Sequence, residues 1–259
     1  MAAPRPGLVR AGSSIALQNK TIVLVTGGNK GIGYEIVKSL ATSRSDYQIL
    51  LGCRNTQDGE MAVVSMGAPL NVNPIQLDIT DDDSIERCYK AIDQHFGRLD
   101  VLINNAGTAG VDLTRSGSNP SPRDAWSHIF NVNVISTGVL TDKLVPLMEQ
   151  SKMPKIIFIS SSLGSIGKAL NDGKLAAPQV SHYSSSKSAV NMLAVQYALK
   201  YPHFKVNSCC PGLRGTGLND MEPTGEHDPA LGAVNAVRLA TEVDGPTATY
   251  TNTEGTLPW

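Results

Sequence analysis

The segment Tyr183-Ser184-Ser185-Ser186-Lys187 sets a phenol and an ammonium four positions apart. On a helix that spacing brings both side chains to one face. A phenol so placed can give a proton to a carbonyl oxygen as hydride reaches the carbon, and can take it back in the reverse direction. An unperturbed tyrosine titrates at about 10, which suits acid–base work near neutrality poorly. A close ammonium favours the phenolate, and bringing the group to about 7 needs roughly 4 kcal/mol, within reach of close cations in a partly desolvated cleft. The same spacing also occurs at Tyr34/Lys38 and Tyr201/Lys205, so the pattern alone discriminates nothing. Tyr34 stands directly behind a glycine turn, and its helix leads away from any ligand end distant from that turn. Tyr201 precedes Pro202, which ends a helix and breaks the geometry. Tyr183 alone opens a helix between Ser161 and the Pro211-Gly212 turn.

The elements that position this pair begin with Thr21–Thr26, a β-branched run that reads as a buried strand. It enters Gly27-Gly28-Asn29-Lys30-Gly31-Ile32-Gly33, and apolar residues at helical spacing follow from Tyr34 to Ala41. Strand, glycine turn and helix in that order form the context of a dinucleotide site. The glycines permit a tight turn and a close approach of backbone to a pyrophosphate at the helix N-terminus. A second strand, Tyr47–Gly52, ends in Cys53-Arg54-Asn55, with no Asp or Glu between Gln48 and Gln57. An acid there would accept hydrogen bonds from the adenosine ribose of NAD. Lys30 and Arg54 instead suit a 2′-phosphate, so NADP(H) is the expected cofactor. The plain alternative is that both are solvated surface cations.

Further strands are expected at Val72–Leu77, Leu99–Ile103, Lys155–Ile159, Phe204–Cys210 and within Ala248–Asn252. Helices are expected at about Asp82–Phe96, Ala125–Gln150, Tyr183–Lys200 and Ala230–Glu242, with Pro146 either interrupting the second or opening a new turn. This alternation predicts a parallel sheet covered on both faces. Thr108–Asp124 and Gly217–Pro229, rich in Gly, Ser and Pro, read as loops, the second a candidate lid.

Taken in order, Thr26–Gly33, Asn104-Asn105-Ala106-Gly107, Asn133, Ser161, Tyr183/Lys187 and Pro211-Gly212 with Thr216 resemble the short-chain dehydrogenase/reductase family in its standard-length form. The resemblance runs from about Lys20 to the C-terminus. It implies a Rossmann-type, doubly wound α/β sheet of about seven strands in the order 3-2-1-4-5-6-7. It implies Asn133, Ser161, Tyr183 and Lys187 as the catalytic set. Ser161 would polarise the carbonyl, Lys187 would bind the nicotinamide ribose and stabilise the phenolate, and Asn133 would hold a water that joins Lys187 to solvent. Cofactor contacts are implied at Gly27, Asn29, Lys30, Gly31, Ile32, Gly33, Arg54, Asp78, Ile79, Asn105, Ala106, Gly107, Tyr183, Lys187, Pro211, Gly212 and Thr216. Asp78 matches the position that meets the adenine amino group, although it could equally start a helix. Lys30 and Arg54 look like the carbonyl-reductase side of the family, and the ending Glu254–Trp259 is similar to fungal members.

The expected activity is therefore NADPH-dependent reduction of a ketone or aldehyde, with a secondary metabolite among the candidate substrates. A non-redox catalyst and an NADP-binding regulator on the same scaffold are the rivals. Two departures stand out. Ser161 and Tyr183 lie 22 positions apart, more than the family's usual spacing, so extra residues within Lys168–Val180 are expected to wall the substrate pocket. Arg214 replaces a small apolar residue; it could meet an acidic substrate or the cofactor phosphates, or simply face outward.

A net charge of −1 gives no general attraction to nucleic acid or anionic membrane. No apolar run approaches the roughly 20 residues that span a bilayer. Four cysteines lack metal-ligand spacing, which points to reduced thiols, no metal and a cytoplasmic location. Residues 1–19, with their prolines, read as a disordered tail rather than a transit helix, and residues 20–259 as one domain. The resemblance implies a homodimer or homotetramer.

Overall fold

The computed structural model describes residues 19–111, 113, 119–172, 180–219 and 221–259. The tail expected over residues 1–19 lies outside them except for its last residue, as do residues 173–179 of the expected pocket wall. Seven parallel strands run β1 Thr21–Thr26, β2 Tyr47–Cys53, β3 Val72–Gln76, β4 Val101–Asn104, β5 Lys155–Ile159, β6 Lys205–Cys209 and β7 Thr249–Thr251. Their order in the sheet is β3-β2-β1-β4-β5-β6-β7, so the chain reverses its winding between β1 and β4. Ligands of open α/β sheets bind beyond the strand ends at such a reversal.

The described helices are α1 Gly31–Ser43, α2 Thr56–Ser65, α3 Asp82–Phe96, α4 Pro122–Phe130, α5 Thr137–Met148, α6 Ile166–Asp172, α7 Ser181–Lys200 and α8 Pro229–Thr241. Alternate residues of β1 feed different layers. Ile22 and Leu24 pack with Ile85, Leu144 and Val190 of α3, α5 and α7, whereas Val23 and Val25 pack with Ile36, Val37 and Ala236 of α1 and α8. Period-two alternation within a nearly all-apolar strand is how a central parallel strand fills two cores at once.

Two differences from the sequence expectation bear on the site. Residues 122–148 form one helical rod, but Asn131–Ser136 between α4 and α5 is wound as a π turn. Pro146 falls inside the last turns of α5 without breaking it. The short helices α2 and α6 have no counterpart in the sequence reading. α2 has a weak apolar period, and its best signal is Asn55, whose side chain accepts from the Gln57 N–H as an N-cap.

Candidate active site

The strand ends that face the reversal carry the first half of the site. The N–H groups of the first turn of α1 receive no side-chain cap, and no acid lies in that turn. By contrast α2, α3, α4 and α8 are capped by Asn55, Asp81, Ser121 and Asp228. An uncapped N-terminus at a glycine turn leaves donors and the positive helix end open to an anion. Gly33 is demanded by close approach: a Cβ there would lie 2.3 Å from the Gly27 carbonyl oxygen and 2.4 Å from Asn105 Nδ2. Gly27 and Gly31 adopt φ of +63° and +55°. The residues present thus fit a pyrophosphate.

Thr26, which carried no role in the sequence reading beyond preceding the turn, locks it to β4. Its hydroxyl accepts from both the Asn105 and Ala106 N–H groups at 2.9 Å, and Asn105 Nδ2 donates to the Thr26 carbonyl at 2.8 Å. A threonine at the end of a strand, before glycines, is the only sequence signal for this. Asn29 is half-buried in the turn and Lys30 is exposed. β1 and β2 end in register, Thr26 opposite Gly52, and the Gly28 N–H donates to the Gly52 carbonyl at 3.0 Å. Lys30 and Arg54 therefore leave neighbouring strand ends, both exposed, and neither makes an ion pair with a described residue.

Asp78 does not start a helix, because Asp81 caps α3. The Asp78 carboxylate instead accepts from the Thr80 N–H at 2.9 Å and the Thr80 hydroxyl at 2.7 Å. Ile79 lines a cavity of about 600 Å³ that runs from Thr80–Asp83 to Asn131, Ile135 and Val139.

The second half of the site gathers around α7. Tyr183 and Lys187 are both buried, and Lys187 Nζ lies 5.8 Å from the centre of the Tyr183 ring. Lys187 Nζ donates to the Ile159 carbonyl at the end of β5, at 2.8 Å. Ser161 follows two residues later; its hydroxyl accepts from the Leu163 N–H at 3.3 Å, and its side chain acts to lower the Tyr183 pKa. The other two Tyr/Lys pairs stand apart from this cluster. The Tyr34 hydroxyl accepts from Ser65 of α2 at 3.0 Å, and Tyr201 stacks between Tyr197 and Phe204.

In the protein without cofactor, burial opposes the lowering expected of the Tyr183 phenol. Removing water pushes the Tyr183 phenol up to about 12, a shift that the Ser161 side chain opposes but does not reverse. The same burial brings the Lys187 ammonium down to about 8. In the protein alone the phenol is thus held protonated rather than poised near neutrality. The sequence reading allows for a partly desolvated cleft, whereas in the structure desolvation outweighs every other influence on the phenol.

Asn133 sits on the π turn with its side-chain amide fully engaged. Oδ1 accepts from the Thr108 N–H at 2.8 Å, while Nδ2 donates to the Thr108 carbonyl at 2.9 Å and to the Ser186 hydroxyl at 3.0 Å. It joins the loop after β4 to α7 beside Gly107, where an added Cβ would lie 3.1 Å from Asn133 Oδ1 and 3.6 Å from Lys187 Nζ. No sequence signal points to the Ser186 partner.

Past β6, Pro211 and Gly212 lead to Thr216, whose methyl would meet a Cβ on Gly31 at 3.4 Å. Thr216 therefore reaches the glycine turn. Arg214 neither faces outward nor is free. Its Nη1 donates to the Leu213 carbonyl at 3.1 Å and to the Glu226 carbonyl at 2.5 Å, and its stem packs near Pro211, Gly232 and Ile32. The lid candidate is thereby tied to the turn that precedes it.

Comparison with known proteins agrees with this geometry. The family model described as "short chain dehydrogenase" matches residues 21–226. The short-chain dehydrogenase/reductase tropE of Talaromyces stipitatus is 33% identical over 223 residues, covering 79% of this chain and 82% of the relative. The short-chain dehydrogenase/reductase eupG of Phoma sp is 35% identical over 240 residues, covering 84% and 86%. Among solved structures, salutaridine reductase from Papaver somniferum superposes with a TM-score of 0.74 at 28% identity, covering 89% of this chain and 99% of that one.

Proposed function

The chain belongs to the short-chain dehydrogenase/reductase family, a family of oxidoreductases, and is similar to fungal members; from that premise we propose that it is an NADPH-dependent reductase of ketones or aldehydes. NADPH, when bound, supplies the hydride. Everything else falls to side chains of this chain. Tyr183 gives its phenolic proton to the carbonyl oxygen, for which a phenol held protonated by burial is in the ready state. Ser161, whose side chain acts to lower the pKa of that phenol, offers its hydroxyl to the same carbonyl oxygen. Lys187, anchored on the Ile159 carbonyl, keeps a cation beside the ring and stabilises the phenolate left behind. Asn133 holds the loop after β4 and α7 at the distance that keeps Lys187 in place.

The observation that carries the proposal is the buried Tyr183–Lys187 pair beside a half-buried Ser161 at the strand ends, next to a glycine turn left open for an anion. NADP rather than NAD rests on Lys30 and Arg54 leaving adjacent strand ends, with no acid where β2 stops. The test is Tyr183→Phe, assayed by NADPH oxidation over a carbonyl panel and by NADPH binding. Turnover should fall by about 10³-fold or more, general acid catalysis being worth 10²–10⁴, with NADPH affinity largely kept. A variant with a near-normal rate would refute the role of the phenol.

A further inference from the structure

Ser161 lies just beyond β5, where the sheet ladder no longer holds the backbone: the last such bond is from the Ser160 N–H to the Cys209 carbonyl. Its hydroxyl accepts from the Leu163 N–H at 3.3 Å within the turn, so what orients it is whatever holds that turn. From one side, α7 grips the turn. The Gly164 carbonyl accepts from Ser188 Oγ at 2.9 Å and Asn191 Nδ2 at 3.2 Å, and a Cβ on Gly164 would lie within 2.7 Å of Lys187. From the other side comes Tyr250 of β7, which is fully buried and whose hydroxyl donates to the Ser161 carbonyl at 2.6 Å. The Gly164 N–H donates to the same carbonyl at 2.8 Å, so both lone pairs are used.

The C-terminal segment braces this tyrosine. The Trp259 indole stacks on the Tyr250 ring with centroids 5.6 Å apart, and the Leu257 N–H donates to the Tyr250 carbonyl at 2.8 Å. The Trp259 carbonyl accepts from the Gly167 N–H at 2.7 Å and the Pro258 carbonyl from Ser165 Oγ at 2.6 Å. Those two contacts fasten the same segment to the stretch that leads from Ser161 into α6.

We infer that Tyr250, braced by Trp259, is a positioning residue that fixes the Ser161 hydroxyl against the Tyr183 phenol. The inference rests on the proposed reductase chemistry for its kinetic readout only. Ser161 acts on a bond whose geometry matters at the scale of tenths of an ångström, whereas most of the expected cofactor contacts follow β1, β2, β3, β4 and β6, and Lys187 keeps its own anchor on the Ile159 carbonyl. A loosened Ser161 turn therefore slows turnover and leaves NADPH binding alone.

The experiment compares wild type, Tyr250→Phe, Ser161→Ala and the double variant, with Trp259→Phe as a milder probe that keeps an aromatic stack. Tyr250→Phe keeps the ring and the Gly164 bond, so it should fold, and its kcat should fall about tenfold at unchanged NADPH affinity, since misplacement near an ångström costs up to about 10²-fold. In the Ser161→Ala background the same change should cost nothing further, because it acts through the group already removed. Trp259→Phe should lose less than Tyr250→Phe. Amide hydrogen exchange should quicken in the peptide spanning Ser160–Gly167 in Tyr250→Phe, read without any substrate. Equal losses in both backgrounds, an unchanged kcat, or unchanged exchange in that peptide would each overturn the inference. If wild type itself reduced no carbonyl, the reductase proposal would fail and the exchange measurement alone would decide the positioning role.

Discussion

Lys187→Met is expected to change how the stability of the protein depends on pH. Burial lowers the Lys187 ammonium from its ordinary 10.5 to about 8. In the unfolded chain it regains the ordinary value, so between about pH 8 and pH 10.5 the unfolded state binds more protons and stability rises with pH. Below about pH 8 both states are protonated and the folded state carries the whole cost of the buried charge. That cost is roughly 3 kcal/mol at pH 7 and about 1 kcal/mol at pH 10, from 1.36 kcal/mol for each tenfold step. Methionine has no proton to bind and a similar length. It also loses the bond to the Ile159 carbonyl, a penalty that does not vary with pH. Urea unfolding of both proteins without cofactor, at about pH 7 and about pH 10, should show wild type gaining on the variant by roughly 2–3 kcal/mol. Tyr183, pushed up to about 12, stays protonated in both folded proteins across this window. Stability profiles that run parallel for the two proteins would refute the claim that the ammonium is held in a desolvated pocket.

Two further outcomes test the cofactor half of the site. Gly33→Ala drives a Cβ into the Gly27 carbonyl and Asn105 Nδ2, both fixed by the Thr26 lock. It should cost about 1–3 kcal/mol by thermal or urea unfolding and weaken NADPH binding, and an unchanged melting curve would contradict the geometry of the turn. Arg54→Ala should weaken NADPH by about 10- to 100-fold, the worth of one charge-assisted hydrogen bond, and leave NADH unaffected. Equal effects on both nucleotides by fluorescence titration would remove the 2′-phosphate from the account.

Much of the scaffold was legible because its signals are local. A β-branched run, a glycine turn and an apolar helical period in Thr21–Ala41 suffice to read β1, the turn and α1 in their observed places. Pro202 likewise excludes Tyr201, and the structure ends α7 at Lys200. The short helices α2 and α6 were not legible, since seven to ten residues carry too little period to stand out from a loop. The π turn at Asn131–Ser136 leaves the apolar pattern of a helix intact, so only the three-dimensional fold reveals it.

The sequence alone determined which chemical groups exist and roughly which strand end each one follows: the glycine turn, the pair of cations in place of an acid, and the phenol one turn from an ammonium. Tertiary structure decided how those groups behave. The partner of Ser161 on β7 is 89 positions away, that of Asn133 on α7 is 53 away, and the Thr26–Asn105 lock spans 79. It also set the sign of the Tyr183 shift, because desolvation depends on everything packed around a group, whereas sequence spacing reports only the neighbours along the chain.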